Sequence, residues 1–400
     1  MKVLQINCVY GEGSTGRITR VIQEGLVTSG ADGVVICGRR GPKEDSKIYS
    51  MISEGRGKLN KLWSMITGVP FGGCFITTQR IKKIIRREQP DVVHLQCING
   101  HFCNIFRLLE FLKASGIPTV LTLHAEFMYT ASCSHAGPCD QFITGCKQCP
   151  VRKSGLHSLV FDRTSHSWQR MHRIYKDWDQ LKVVACSDWI AGRAGKSGEM
   201  GKRDIRVLRN GIDNTSVFYP REKARQMILE KYSLPQDKKL VLFVSPGFSS
   251  LKGFDLLLEL AEKCKDDPMH FVLVGGAYEG REPNLTSLGK IADANLLAQM
   301  YSAADALVIC SRNDTYPTVC LEANSCGTGV VGFDVGGVKE TICPGMGTVV
   351  PFGDTDAMRK ALLEWSEQKP SGETVEKART RHSQQRMVRE YLQLYQELIR

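Results

Sequence analysis

Short apolar runs, each followed by a stretch with helical spacing, recur in two successive series along the chain, and that rhythm admits few folds. In the first series the runs fall at 2–10, 34–37, 92–96, 118–124, 183–187 and 205–209, with helical periodicity at 15–29, 76–88, 101–115 and 188–197. Runs that stay apolar without alternating read as strands buried on both faces, the signature of parallel sheets covered by crossover helices. After Tyr219–Pro220 the pattern restarts. Strands fit 240–245, 270–275, 288–292, 306–311, 329–333 and 347–350, and helices fit 253–265, 296–304, 318–326 and 355–368. The expected fold is therefore α/β, with two Rossmann-like doubly wound domains facing across a cleft and ligands bound where strand C-termini meet it. The boundaries expected are 1–215 for the first domain, 216–380 for the second, and 381–400 for a C-terminal helix returning to the first. In that helix Val388, Tyr391, Leu392, Tyr395 and Leu398 form the apolar stripe.

Charge separates the two halves. Residues 1–200 hold 27 Lys+Arg against 16 Asp+Glu, and residues 201–400 hold 26 against 26, so the whole excess of +11 lies in the first half. Such an excess draws anionic partners: lipid headgroups, phosphates or nucleic acid. The opening MKVLQINCVY lacks the apolar length and cleavage site of a signal peptide, and no window holds ~18 uninterrupted apolar residues. The 15 cysteines are scattered, several inside strand-like runs (Cys8, Cys37, Cys97, Cys186, Cys310), which suits buried thiols in a reducing compartment. A cytoplasmic location is the expectation.

Three segments carry chemistry. The first strand runs through Tyr10-Gly-Glu-Gly-Ser-Thr-Gly-Arg17 into a helix. Gly11, Gly13 and Gly16 there match neither G-x-G-x-x-G nor a P-loop, but they let backbone approach a ligand at a helix N-terminus. In the second half a strand leads to Ser249-Ser-Leu-Lys-Gly253, which sets Lys252 at a helix start as a point charge for phosphate. A later strand leads to Arg312-Asn-Asp314-Thr-Tyr-Pro-Thr-Val-Cys-Leu-Glu322. Pro317 suits the start of a helix, leaving the N–H groups of Thr318 and Val319 as an anion site. Asp314 precedes this helix and Glu322 lies on it, so the two carboxylates suit opposite ends of one extended ligand.

Asp314-x7-Glu322 with Gly327, then Gly336-Gly337-x-x-Glu340, Lys252-Gly253 and Asn210-Gly-Ile-Asp213, in this order, resemble the family 4 retaining glycosyltransferases of GT-B fold. Within that family, Gly13-Ser-Thr-Gly-Arg-Ile18, Thr122-Leu-His124 and the cysteine-rich stretch after it resemble enzymes of colanic-acid and other exopolysaccharide clusters. The resemblance implies a metal-independent enzyme moving a hexose from a UDP- or GDP-sugar to a lipid-linked oligosaccharide of a surface polysaccharide. It assigns Glu322 to the donor ribose, Asp314 to the transferred sugar, and Lys252 with the N–H groups of Thr318 and Val319 to the diphosphate. His124 would lie by the transferred sugar, and Gly13 and Gly16 by the diphosphate. Two positions depart from the family: Gly247 stands where an arginine is usual, so Arg17, Arg312 or another cation must substitute, and His124-Ala125 replaces His-Asp, with Glu126 following.

Cys133-x5-Cys139-x6-Cys146-x2-Cys149 offers four thiols for a structural zinc ion. Thr77–Glu88 mixes apolar and basic residues at helical spacing, which suits a helix lying on an anionic membrane. Rival readings explain less. A metal-dependent transferase would use Asp177-Trp-Asp179, which lies in a polar, aromatic segment. A nucleotide-sugar epimerase leaves the Asp314/Glu322 pair and His124 unexplained. A nucleic-acid-binding protein accounts for the charge but not the motifs, so no nucleic-acid partner is expected.

Overall fold

The computed structural model describes residues 1–39, 41, 46–152, 158–280 and 282–400. The chain divides into two compact units, Met1–Arg209 with Met387–Arg400, and Asn210–Arg386.

The strands of unit 1 are β1 (Lys2–Asn7), β2 (Asp32–Cys37), β3 (Ile48–Ser50), β4 (Val92–Leu95), β5 (Thr119–Leu123), β6 (Leu181–Ala185) and β7 (Ile205–Val207). They form one parallel sheet in the order β3-β2-β1-β4-β5-β6-β7. The helices are α1 (Gly13–Thr28), α2 (Glu54–Thr67), α3 (Phe75–Glu88), α4 (Ile105–Ser115), α5 (Phe127–Thr130), α6 (Thr164–Tyr175) and α7 (Asp188–Ala194). β3, α2, α5 and α6 add to the expected elements, and Asp177-Trp-Asp179 is a turn after α6 with Trp178 wholly buried. The apolar strands earn their place by burial: every residue of β4 and β5 is buried.

Unit 2 has α8 (Ala224–Tyr232), β8 (Lys239–Val244), α9 (Phe254–Lys263), β9 (Met269–Val274), β10 (Leu285–Ser287), α10 (Ala294–Ala303), β11 (Ala306–Ile309), α11 (Thr318–Ser325), β12 (Gly329–Phe333), α12 (Val338–Thr341), β13 (Gly347–Val350), α13 (Thr355–Ser366) and α14 (Gly372–His382). Its parallel sheet runs β10-β9-β8-β11-β12-β13. The strand expected at 288–292 lies earlier, at Leu285–Ser287, where the backbone pairs with Phe271–Leu273. In each sheet the order reverses beside the first strand, between β1 and β4 and between β8 and β11, and such a switch point opens a crevice at the strand C-termini.

The last helix, α15 (Gln384–Leu398), buries Met387, Tyr391, Leu394 and Tyr395 among Val3, Ile22, Leu26 and Val184 of unit 1. The buried stripe is thus rotated from the expected one, with Leu392 and Leu398 only partly covered. Four such side chains contribute on the order of 8 kcal/mol gross. The unit boundary falls at Arg209/Asn210 rather than 215/216, because Asn210–Ile212 is tied to the returning chain. Ile212 donates to the His382 carbonyl at 2.8 Å and accepts from the Gln384 N–H at 2.9 Å.

Candidate active site

In unit 2 the loops after β8 and β11 meet. Gly253, with φ +69°, follows the 3-10 turn Ser250–Lys252, and a Cβ there would stand 1.8 Å from the Cys310 carbonyl at the end of β11. Only glycine lets this turn seat so deeply. The Arg312 N–H donates to the Leu251 carbonyl at 3.0 Å and locks the loops together. A second glycine fixes Asp314. A Cβ on Gly336 (φ +57°) would lie 2.0 Å from the Asp314 carbonyl, which instead accepts from the Gly337 N–H at 2.8 Å. The Lys-Gly and Gly-Gly signatures are therefore the seats of the two charged residues they accompany.

Those residues touch. Lys252 Nζ donates to Asp314 Oδ2 at 2.7 Å, with the lysine side chain 32% exposed and the aspartate 16%. The sequence assigned them to different parts of a ligand; in the molecule one carboxylate balances the other's ammonium. An ammonium has three N–H donors, so Lys252 keeps capacity for a further anion beside Asp314. Just beyond, Pro317 precedes α11 and supplies no side-chain cap. The first turn of a helix leaves its N–H groups without intrahelical partners, and here those include Thr318 and Val319. Glu322 is buried on the same helix, and Tyr301 Oη donates to its Oε2 at 2.8 Å, fixing the carboxylate's orientation. Burial and the adjacent Glu322 push the Tyr301 hydroxyl up, keeping it a donor.

Arg312 lies beside the Lys252 turn, but its guanidinium is bound to Asp255 and to Ser250 Oγ. A side chain at Gly247 would meet nothing within 4 Å, so the position of the missing arginine is open space.

In unit 1 the candidates gather at the C-terminal ends of β1 and β5. Gly13 opens α1, and Gly16 in its first turn accepts from the Gly11 N–H at 2.9 Å. His124 follows β5, and a relay of side-chain amides sets its tautomer. Gln5 Nε2 donates to the Thr19 carbonyl, so Gln5 Oε1 accepts from Gln96 Nε2 at 2.7 Å. Gln96 Oε1 is left to accept, and the His124 Nε2 facing it at 3.2 Å carries the proton. Burial brings the His124 pKa down to about 4, which makes the imidazole neutral at pH 7. Beside it, His94 bonds Tyr395 Oη at 2.6 Å and Thr122 Oγ1 at 2.8 Å, so α15 braces the same strand ends. Gln5, Gln96 and Tyr301 are residues the sequence reading passed over. The two glutamines had a signal, since each interrupts a strand that should be wholly apolar.

Glu126 does not stand in for the aspartate missing after His124. It is fully buried, pairs with Arg193 Nε at 2.7 Å, and accepts from Tyr129 Oη at 2.7 Å and the Ala136 N–H at 2.6 Å. Arg193 also donates to the Cys139 carbonyl at 3.1 Å, so this ion pair organises the cysteine stretch. The four thiols expected to hold zinc, Cys133, Cys139, Cys146 and Cys149, lie near one another in this stretch. Among the described residues no group of three or more His, Cys, Asp or Glu side chains is placed to hold a metal ion. Cys133 and Cys149 act on each other, which brings Cys149 down to about 7 and pushes Cys133 up. Cys146 Sγ turns to the Thr130 carbonyl at 3.7 Å. A groove between α4 and α6, lined by Glu110, Lys113, His166, Arg170 and Arg173, gathers none of the candidate residues.

Comparison with known proteins follows this geometry. The pattern of the family described as Glycosyltransferase Family 4 matches residues 15–216, half of the chain. The chain belongs to family 4 of the glycosyltransferases. A second pattern, Glycosyl transferases group 1, matches residues 224–384. An Escherichia coli (strain K12) protein named as a colanic acid biosynthesis glycosyl transferase, WcaC, is 22% identical over the full length of both chains. Sucrose-phosphate synthase from Thermosynechococcus elongatus superposes with a TM-score of 0.70 at 18% identity, over 99% of this chain and 98% of that one. Anabaena HepE, solved with UDP-glucose, gives 0.68 at 14% identity, over 99% and 100%. At these identities the structural likeness shows the fold, which is GT-B. The glycosyltransferase is thus an enzyme that transfers sugars, and it is related to enzymes of exopolysaccharide synthesis. No helix among its described residues is long and apolar enough to cross a membrane.

Proposed function

We propose that this glycosyltransferase moves a hexose, with retention of anomeric configuration, from a UDP- or GDP-sugar to a lipid-linked oligosaccharide of a surface polysaccharide, working at the inner face of the plasma membrane. The observation that carries the donor half is the Lys252–Asp314 pair at 2.7 Å, set ahead of α11, whose buried Glu322 is held by Tyr301. In this reading Glu322 bonds the ribose hydroxyls. Lys252 and the N–H groups of Thr318 and Val319 take the diphosphate, and Asp314 takes hydroxyls of the sugar. Gly13, Gly16 and a neutral His124 are assigned by the family resemblance to the diphosphate and the transferred sugar.

The chemistry follows from where charge develops. Breaking the anomeric C–O bond builds negative charge on the diphosphate and positive charge on the sugar. An ammonium and helix N–H groups fixed beforehand stabilise the former at no cost in reorganisation. The leaving phosphate oxygen accepts the acceptor's proton on the face it departs from, which gives retention without a protein nucleophile. A His124 that donates from Nε2 to Gln96 stays neutral and adds no positive charge beside an oxocarbenium-like sugar.

Calorimetry with UDP and GDP on folded variants tests the donor site. Lys252→Ala and Glu322→Ala should each lose nucleotide affinity, while Asp314→Ala keeps or gains it and loses turnover of the nucleotide-sugar. Loss of the nucleotide by Asp314→Ala alone would reverse the assignment. Turnover should survive EDTA, and a requirement for a divalent ion would refute the metal-independent mechanism.

A further inference from the structure

Helices of globular proteins bury their apolar stripe and expose their polar face. α2 does the reverse. Its inward side carries Gly57, Ser64 and Asn60, and Asn60 Nδ2 donates to the His101 carbonyl at 3.0 Å. Its outward side carries Leu59, Leu62, Trp63 and Ile66, which are 67%, 51%, 52% and 49% exposed. Their spacing of three, four and seven residues makes one continuous stripe.

Two other segments extend it. The loop Leu159–Phe161 presents three consecutive exposed apolar side chains. It is tied to the end of α2, where the Leu159 N–H donates to the Met65 carbonyl at 3.0 Å and Ser158 Oγ donates to it at 3.2 Å. Phe75 and Ile76, at the start of α3, are 45% and 88% exposed. Gly73 just before them lies under the Trp63 ring, where a Cβ would come within 3.0 Å of its Cδ1. Nine large apolar side chains from three segments therefore face outward on unit 1. Monomeric proteins rarely leave so many together unpartnered.

The charge around them selects the partner. Between Gly55 and Arg87 the sequence has eight Lys+Arg and no Asp or Glu, so this stretch alone supplies most of the net +11. Arg56, Lys58, Arg80 and Lys83 are exposed on the same two helices. Arg107 stacks on Phe75 and Arg163 on Phe161, at 4.6 and 5.6 Å from the ring centres. Asp162, an exposed acid beside the loop, is engaged locally, accepting from the Cys149 N–H at 2.8 Å and from Thr164. A second copy of this face would bring Arg56, Lys58, Arg80 and Lys83 against the same cations, which argues against self-association. Apolar side chains and a tryptophan rimmed by cations match the boundary between acyl chains and anionic headgroups.

We propose that α2, the start of α3 and the loop Leu159–Phe161 form one surface that inserts Leu59, Leu62, Trp63 and Ile66 into an anionic bilayer. This deepens the reading of a lipid-linked acceptor and rests on it for its purpose. It also moves the contact away from the far end of α3. There Arg86 lies over Phe111, and Arg87 bonds Tyr49 and Glu88, so both cations are engaged within the unit.

The test uses full-length protein and vesicles of phosphatidylcholine with or without phosphatidylglycerol. Wild type should sediment with the anionic vesicles, and brominated lipid should quench a component of its emission that Trp63→Phe removes. The triple variant Leu59→Ser/Leu62→Ser/Ile66→Ser changes only exposed side chains. It should lose about tenfold or more of the vesicle partitioning while binding UDP or GDP as wild type does. Equal retention of the triple variant, equal retention of wild type by neutral vesicles, or quenching unaffected by Trp63→Phe would each overturn the proposal. So would sedimentation showing a dimer that the triple variant dissociates while vesicle binding persists, since the face would then belong to a second copy. Failure of nucleotide binding in wild type would count against the donor site, not against the membrane surface.

Discussion

Replacing Asp314 by asparagine keeps the shape of the donor-side loop and removes the negative charge beside Lys252. At 2.7 Å the gross attraction in this pair is about 6 kcal/mol at an effective dielectric of about 20. With the lysine about a third exposed, most of that is returned as desolvation and screening, and measured pairs of this kind retain about 1 kcal/mol or less. A nucleoside diphosphate arriving at Lys252 competes for the same ammonium and meets the Asp314 carboxylate as a like charge. Asp314→Asn should therefore bind UDP or GDP more tightly, by up to about 1 kcal/mol or roughly fivefold. Lys252→Ala should lose about 1.5–3 kcal/mol, or roughly tenfold to a hundredfold. In the double variant the share of the gain that comes from freeing the ammonium should vanish, leaving only the relief of the like charge. Isothermal titration calorimetry on the four proteins measures all three terms, and nucleotide-sugar turnover should fall in Asp314→Asn even as the nucleotide binds better. If Asp314→Asn weakened the nucleotide as much as Lys252→Ala does, the carboxylate would itself be a nucleotide ligand and the reasoning would fail.

Tyr301→Phe removes the hydrogen bond that orients Glu322 and should cost about 1 kcal/mol of nucleotide affinity, seen by the same calorimetry, with no effect on inorganic pyrophosphate. Glu126→Gln breaks a buried ion pair and should destabilise unit 1 by about 3 kcal/mol in urea unfolding; an unchanged midpoint would mean the cysteine stretch is held some other way. The thiolate is the reactive form, so alkylation of Cys149 should rise as pH passes about 7, while Cys146, pushed up to about 12 by burial and its neighbouring thiols, stays inert. Peptide mass spectrometry reads this, and Cys133→Ser should return Cys149 towards ordinary thiol behaviour. Elemental analysis of protein purified without added metal should find well below one equivalent of zinc, and a full equivalent lost on Cys146→Ser would place the ion on these thiols.

The sheets were legible because parallel strands are buried on both faces and show as continuous apolar runs; VVHL and TVLTL could be little else. What escaped was whatever broke that rule. α2 carries its apolar residues outward and glycine, serine and asparagine inward, so its stripe gave no core signal. β3 is three residues at a sheet edge, too short for any period. The candidate donor-side residues stood out because one segment, from Arg312 to Glu322, holds most of them. Their partners were not. Tyr301 reaches Glu322 from a separate helix, and the pairing of Lys252 with Asp314 joins residues 62 positions apart. For the cysteines, spacing reports nearness along the chain and not the direction of each thiol.

The charge asymmetry between the two halves has a consequence that salt can separate. The exposed cations Arg56, Lys58, Arg80 and Lys83 act on an anionic surface through water, each worth about 1 kcal/mol at low salt. That field fades within a Debye length, which shrinks from about 10 Å at 0.1 M salt to about 3 Å at 1 M. The outward stripe of α2 acts through apolar burial, which salt does not screen. Retention on anionic vesicles should therefore fall steeply with salt and level off above zero, and the residue should disappear in Leu59→Ser/Leu62→Ser/Ile66→Ser. The donor half differs, because residues 201–400 balance 26 cations against 26 anions and Lys252 would meet its phosphate in direct contact. Nucleotide affinity over the same salt range should change by only a few fold. Full release from vesicles at high salt would show that the apolar stripe stays outside the bilayer. Nucleotide affinity falling in step with retention would show one long-range field serving both, and the division of labour between the charged face and the Lys252 site would be wrong.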